Sequence, residues 1–132
     1  MNTKFWGPRL WDYGFCVCYN YSPEDHDNRY YTREFFTNLK YTMPCKYCRE
    51  SYGQFLKINP IDSHLESREA LLYWWYRMHC LVNEKLRNQG VPNPPDPTFE
   101  EVCRKYGQYR AACNPKTMSC SIPLSLIKKS VQ

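Results

Sequence analysis

The sequence predicts an all-α fold, a four-helix bundle with a short fifth helix. Three features carry this expectation. Apolar side chains recur at helical spacing in four separate stretches, the pattern that gives a helix one buried side. Those stretches are separated by break signals, among them Ser22-Pro23, Asn59-Pro60 and Asn88-Gln89-Gly90. No segment shows the strict apolar/polar alternation of a half-buried strand, and there is no internal repeat. At 132 residues the chain has the length of one domain with a modest core.

Taken in order, residues 1–4 are expected to be loose and Pro8 to open the first helix behind Trp6-Gly7, because proline suits a first helical turn. Trp11, Phe15 and Cys18, or Leu10, Gly14 and Val17, supply its apolar side. A polar loop over Asp25–Asn28 precedes a second helix carrying Tyr31, Phe35, Phe36 and Leu39. The third is expected to start at Pro44-Cys45-Lys46-Tyr47-Cys48, with Thr42 as N-cap, and to run to about Ile58. Along it Cys48, Tyr52, Phe55 and Asn59 share one face. Ser67 caps the fourth and longest helix, whose broad inner face holds Leu71, Leu72, Trp75, Met78, His79, Val82, Asn83 and Leu86. Val91–Pro97 reads as a stiff extended connector. Thr98 and Glu101 form a capping box for a fifth helix ending near Tyr109. Beyond Ala112 the chain turns polar and irregular, with a basic end at Lys128-Lys129.

Composition narrows the chemistry. Eight cysteines is a density typical of disulfide-stabilised or metal-binding chains, and on the order of 100 pairings are open to them. The N-terminus shows no apolar signal segment, and no apolar run approaches the ~20 residues of a membrane span. An oxidising chemistry without the usual route to an oxidising compartment fits an enzyme that itself makes disulfides. The net charge is +5, but bases and acids alternate, as in Glu66-Ser67-Arg68-Glu69, which argues against a nucleic-acid surface. Four Trp, twelve Tyr and six Phe call for a core of large rings or a pocket for a flat cofactor.

Cys45 and Cys48 stand one helical turn apart at a helix start, where free amide hydrogens and the helix dipole lower a thiol pKa. The spacing places Cys45 at the rim and turns Cys48 inward. A redox pair and half of a zinc site are equally open readings of an isolated CxxC. On the fourth helix His79 and Asn83, at i and i+4 with Lys85 beyond, put a polar cluster on an apolar face, and such a cluster needs hydrogen-bonding partners.

Trp6-Gly7-Pro8-Arg9-Leu10-Trp11, then Pro44–Cys48, then His79-Cys80-Leu81-Val82-Asn83-Glu84-Lys85-Leu86 follow one another in the order and spacing of the Erv/ALR sulfhydryl oxidases. The chain resembles that family over residues 5–109, and most resembles the small single-domain versions carried by large DNA viruses. The resemblance implies FAD bound at the end of the bundle, an oxidase domain over residues 1–109 and a cysteine-containing tail over 110–132. It implies that Cys45 exchanges with an incoming dithiol while Cys48 packs against the flavin. Electrons then pass through FAD to molecular oxygen, giving hydrogen peroxide. Cofactor contacts are implied for Trp6, Gly7, Trp11, Phe15, Cys48, His79, Val82, Asn83, Lys85 and Tyr106. Phe15 stands where the family has a histidine, and Cys80 where it has an asparagine; Cys80 with Cys103 is the stand-in for a family cross-link.

The family also implies a dithiol protein substrate, a thioredoxin-like carrier being one form of it, and a homodimer through the first two helices. The viral likeness implies the cytoplasm of an infected host cell or the virion. Cys113 and Cys120 fit a shuttle disulfide, against Cys16/Cys18 as a competing pair and a plain structural staple as the bland alternative. The rival from another class is a zinc-binding interaction module using Cys45, Cys48, His79 and Cys80. Adjacent His79 and Cys80 diverge by about 100° on a helix, which makes one shared metal awkward and leaves no metal expected. A thioredoxin-like fold also uses CxxC, but needs βαβ elements that this chain lacks.

Overall fold

The computed structural model describes residues 1–123, so the basic end at Lys128-Lys129 and the rest of the tail lie outside the described residues. Helix α1 spans Thr3–Tyr19, α2 His26–Thr42, α3 Lys46–Ile58, α4 Arg68–Asn88 and α5 Phe99–Gly107. A 3-10 turn over Ile61–His64 links α3 to α4, and strands β1 (Ala111–Asn114) and β2 (Ser119–Pro123) follow α5. The chain divides into two compact units between Asp96 and Pro97, inside the proline-rich connector.

In the first unit α1 packs on α4 and α2 on α3, with the 3-10 turn against both α2 and α4. The core is built from large rings, with Phe15, Tyr21, Phe36, Tyr52, Trp74 and Trp75 all essentially inaccessible. Rings of this size dominate the burial energy but bring polar atoms inside, and each of these needs a partner. Trp74 and Asn59 satisfy one another: the indole N–H donates to the Asn59 carbonyl at 2.8 Å, and the Asn59 amide donates to the Trp74 carbonyl at 3.3 Å. That exchange ties the end of α3 to the middle of α4. The Tyr52 hydroxyl donates to the Phe36 carbonyl at 2.8 Å, and Tyr21 to the Leu65 carbonyl at 2.6 Å. Trp75 Nε1 donates to the Trp11 carbonyl at 3.2 Å, joining α4 to α1. Gly14 permits that approach, since a β-carbon there would sit 2.4 Å from the Trp75 indole.

Several boundaries differ from expectation, each for a local reason. α1 starts at Thr3, not Pro8, because the Asn2 side chain caps it by accepting from the Lys4 amide. α2 starts at His26, inside the expected loop, because Asp25 caps it through the Asn28 amide. Thr42 is the last residue of α2, not the cap of α3, and Pro44 precedes α3. The residue before a proline avoids the helical region, and Met43 is accordingly extended, with ψ 134°. Ser67 and the Thr98/Glu101 capping box sit as expected. Gly90, at φ 74°, follows α4 in the left-handed conformation that glycine tolerates.

The second unit carries α5 and an antiparallel hairpin in place of the irregular tail. A disulfide joins Cys113, in β1, to Cys120, in β2.

Candidate active site

Because Pro44 ends one segment and α3 begins only at Lys46, the capping position falls on Cys45 itself. Its sulfur accepts from the Cys48 amide at 3.3 Å, doing with a thiolate-forming atom what Ser or Asp oxygens do elsewhere. Cys48 Sγ lies 2.6 Å from Cys45 Sγ and donates to it. The Cys45 thiol is held below the usual cysteine range, first by this hydrogen bond from Cys48. Burial opposes this as the second-largest effect, and the Cys48 and Tyr47 amides and the positive charge of Lys85 add smaller lowering effects. Cys48 is pushed up to about 11, chiefly by burial and then by Cys45. One sulfur therefore ionises easily and its neighbour holds a proton, a division of labour suited to thiol exchange.

Between α1 and α4, rings are brought together. Trp11 lies 4.4 Å, centroid to centroid, from both Trp75 and His79. Trp11, His79, Val82, Asn83 and Lys85 are all half-buried, while Phe15 is a core residue at 1% exposure. Asn83 donates to Asp96 at 2.7 Å, and Arg87 pairs with the same carboxylate at 2.9 Å. Lys85 Nζ reaches Ser51 Oγ, one turn beyond Cys48 on α3, at 2.5 Å. Trp6 is half-buried with its indole N–H enclosed and unpartnered, and a β-carbon at Gly7 would meet nothing within 4 Å.

Residues 8–105 match the Erv1 / Alr family. The chain belongs to that family. It is 37% identical, over 87 residues, to a probable FAD-linked sulfhydryl oxidase of Acanthamoeba polyphaga mimivirus, a match covering 63% of this chain and 59% of the relative. The fold is that of the crystal structure of the yeast Erv1 core, with a TM-score of 0.68 at 20% identity over 80% of this chain and 84% of that one.

The residues present fit FAD. A flat ring system needs aromatic walls, which Trp11 and His79 offer, and a pyrophosphate needs cations and amide donors, which Lys85 and Asn83 offer. The enclosed Trp6 N–H is a donor awaiting an acceptor. Tyr106 is half-buried on α5, in the second unit. Cys80 is buried on α4 in the first unit, and Cys103 is half-buried on α5 in the second. Cys16 is exposed, whereas Cys18 is buried with its thiol 3.8 Å from the Leu71 carbonyl, so these two face different surroundings. Among the described residues no three His, Cys, Asp or Glu side chains are grouped closely enough to hold a metal ion.

Sequence reasoning missed Ser51, Asp96 and Arg87. Ser51 had a signal, being three residues after Cys48 and so one turn along the same helix. Asp96 had none, because the fold of the proline connector decides where its carboxylate lands.

Proposed function

We propose that the chain is an FAD-dependent thiol oxidase that forms disulfides in protein dithiols, with residues 1–109 as its catalytic domain. The observation that carries this reading is the split pair at the head of α3, Cys45 acidified at the N-cap and Cys48 protonated by burial. The family and the probable sulfhydryl oxidase of the mimivirus support it. Although the chain spans 59% of that relative's length, the CxxC and the α4 segment lie within the family match.

In the oxidised enzyme Cys45 and Cys48 share a disulfide. A substrate thiolate attacks Cys45 Sγ, a new sulfur–sulfur bond forms to the substrate, and the old bond breaks to release Cys48 as a thiolate, which takes up the proton of the second substrate thiol. The second substrate thiolate then attacks the substrate sulfur, the substrate disulfide closes, and Cys45 leaves as thiolate. The features that acidify Cys45 also make it the better leaving group. Bound FAD supplies the two-electron chemistry that reoxidises the pair and reduces molecular oxygen to hydrogen peroxide. Trp11 and His79 would wall the ring system, Asn83 and Lys85 would hold the phosphate side, and Lys85 also adds positive charge near both sulfurs.

Two further parts belong to this proposal. Cys113–Cys120, exposed on the hairpin, serves as a second exchange pair for bulky substrates. A homodimer uses α1 and α2, whose Tyr13, Tyr30 and Tyr31 are 60%, 53% and 67% exposed. The direct test is oxygen uptake with dithiothreitol. The purified protein is expected to be yellow and to release one peroxide per disulfide, and Cys45→Ser or Cys48→Ser to abolish turnover. Folded, flavin-loaded protein that consumes no oxygen with any dithiol would overturn the reading.

A further inference from the structure

The outer face of α3 is basic and lies beside a cleft. Lys46, Arg49, Gly53 and Lys57 run along α3, and with Lys40 and Tyr41 from the end of α2 they line a surface cleft of about 460 Å³. Glu50 is the one acid in its wall, against four cations. Among the described residues Lys46 and Lys57 make no ion pair or hydrogen bond, and Lys40 rests over the Tyr41 ring at 5.0 Å. The middle is open, since a β-carbon at Gly53 would meet nothing within 4 Å. Cys45 caps the same helix, immediately before Lys46. From Lys46 to Lys57 the helix rises roughly 16 Å, the reach of about five extended residues.

We propose that this cleft is where the dithiol substrate docks, by an acidic segment of about five residues flanking its reactive cysteines. The inference rests on the thiol-oxidase reading and adds the class of substrate to it. Unpaired cations leading to the exchanging sulfur raise the local concentration of a negatively charged partner and orient it toward Cys45. The chain's own tail does not supply the occupant: residues 102–132 contain no Asp or Glu but several Lys and Arg. A second copy, at net charge +5, is equally unsuited.

The test uses the full FAD-loaded chain and two dithiol peptides that differ only in five flanking residues, glutamate in one and lysine in the other. The wild type should favour the glutamate peptide in kcat/KM by about tenfold or more, and added salt should shrink the advantage. Lys40→Glu with Lys57→Glu should bring the ratio to one or below. Gly53→Glu should do the same without harming the fold, because the site is open and glutamate is the better helix former. Fluorescence anisotropy of a labelled, thiol-free glutamate peptide reads docking apart from turnover, and the same variants should weaken it. A wild-type ratio near one, or binding indifferent to these substitutions, overturns the docking site even if dithiothreitol is oxidised. Salt-sensitive binding that the variants abolish, in a protein that oxidises no thiol, leaves the docking site standing and removes the oxidase reading. A single-stranded oligonucleotide that displaces the peptide at equal charge would reassign the cleft to nucleic acid and overturn the proposal.

Discussion

The low pKa of Cys45 comes first from the hydrogen bond that Cys48 Sγ donates to it, and with smaller effect from amides offered where the chain changes direction. Pro44 forces Met43 to be extended, α3 cannot begin until Lys46, and the capping role falls to the thiol. Iodoacetamide added to the reduced protein should therefore label Cys45 well ahead of Cys48, as peptide mapping would show. The Cys45 labelling rate should fall only when the pH drops below the range of an ordinary cysteine. Lys85→Met removes a positive charge that lowers both thiols, so it should move that fall to higher pH. An unchanged labelling profile in Lys85→Met would show that the charge does not reach the sulfurs. At this scale the sequence was informative about spacing and silent about partners. The i, i+3 cysteines and the i, i+4 His79 and Asn83 are local facts. That Lys85 meets Ser51 and Asn83 meets Asp96 depends on helices and a connector brought together by the fold.

Two helical glycines place opposite demands on their elements. Gly14→Ala drives a methyl into the Trp75 ring, which its bond to the Trp11 carbonyl keeps from retreating. Overpacking outweighs the better helix propensity, for a net loss of about 1–2 kcal/mol. Gly53→Ala meets open space and should gain about 0.5–1 kcal/mol. Urea midpoints at constant m-value read both, and a loss in each would refute the packing argument. The connector after α4 carries a pH dependence. Arg87 first, and then Asn83, hold the Asp96 carboxyl below the usual carboxylate range. The stability from this clamp is present above the unfolded carboxylate pKa and lost as pH falls through the lowered value. Asp96→Asn should therefore lower the melting temperature at neutral pH, with the gap to wild type narrowing in acid. The helices were legible because burial imprints a period on the chain. Their starts at Asn2 and Asp25 were not, since the first turns are polar and the caps act over three residues. The hairpin was invisible for another reason: Ala111–Asn114 and Ser119–Pro123 are too short to show alternation, and the strands pair around the Cys113–Cys120 bond.

For the whole molecule, the proposed site draws on distant stretches of chain: α3 supplies the sulfurs, and α1 and α4 would supply rings, amide and cation. No helix among the described residues is long and apolar enough to cross a membrane. The proposed dimer predicts twice the monomer mass in light scattering, and charged residues at Tyr30 and Tyr31 should halve it; a monomer at all micromolar concentrations would remove that part. The central claim is that Cys48 meets the flavin while Cys45 exchanges with substrate. The visible spectra of purified, FAD-loaded Cys45→Ser and Cys48→Ser test it most directly. Cys45→Ser leaves the Cys48 thiolate beside oxidised flavin and should show a long-wavelength absorbance band that grows with rising pH and fades on acidification, following the high pKa that burial gives Cys48. Cys48→Ser should show an ordinary flavin spectrum at every pH. A band in Cys48→Ser and none in Cys45→Ser would reverse the two roles and contradict the account.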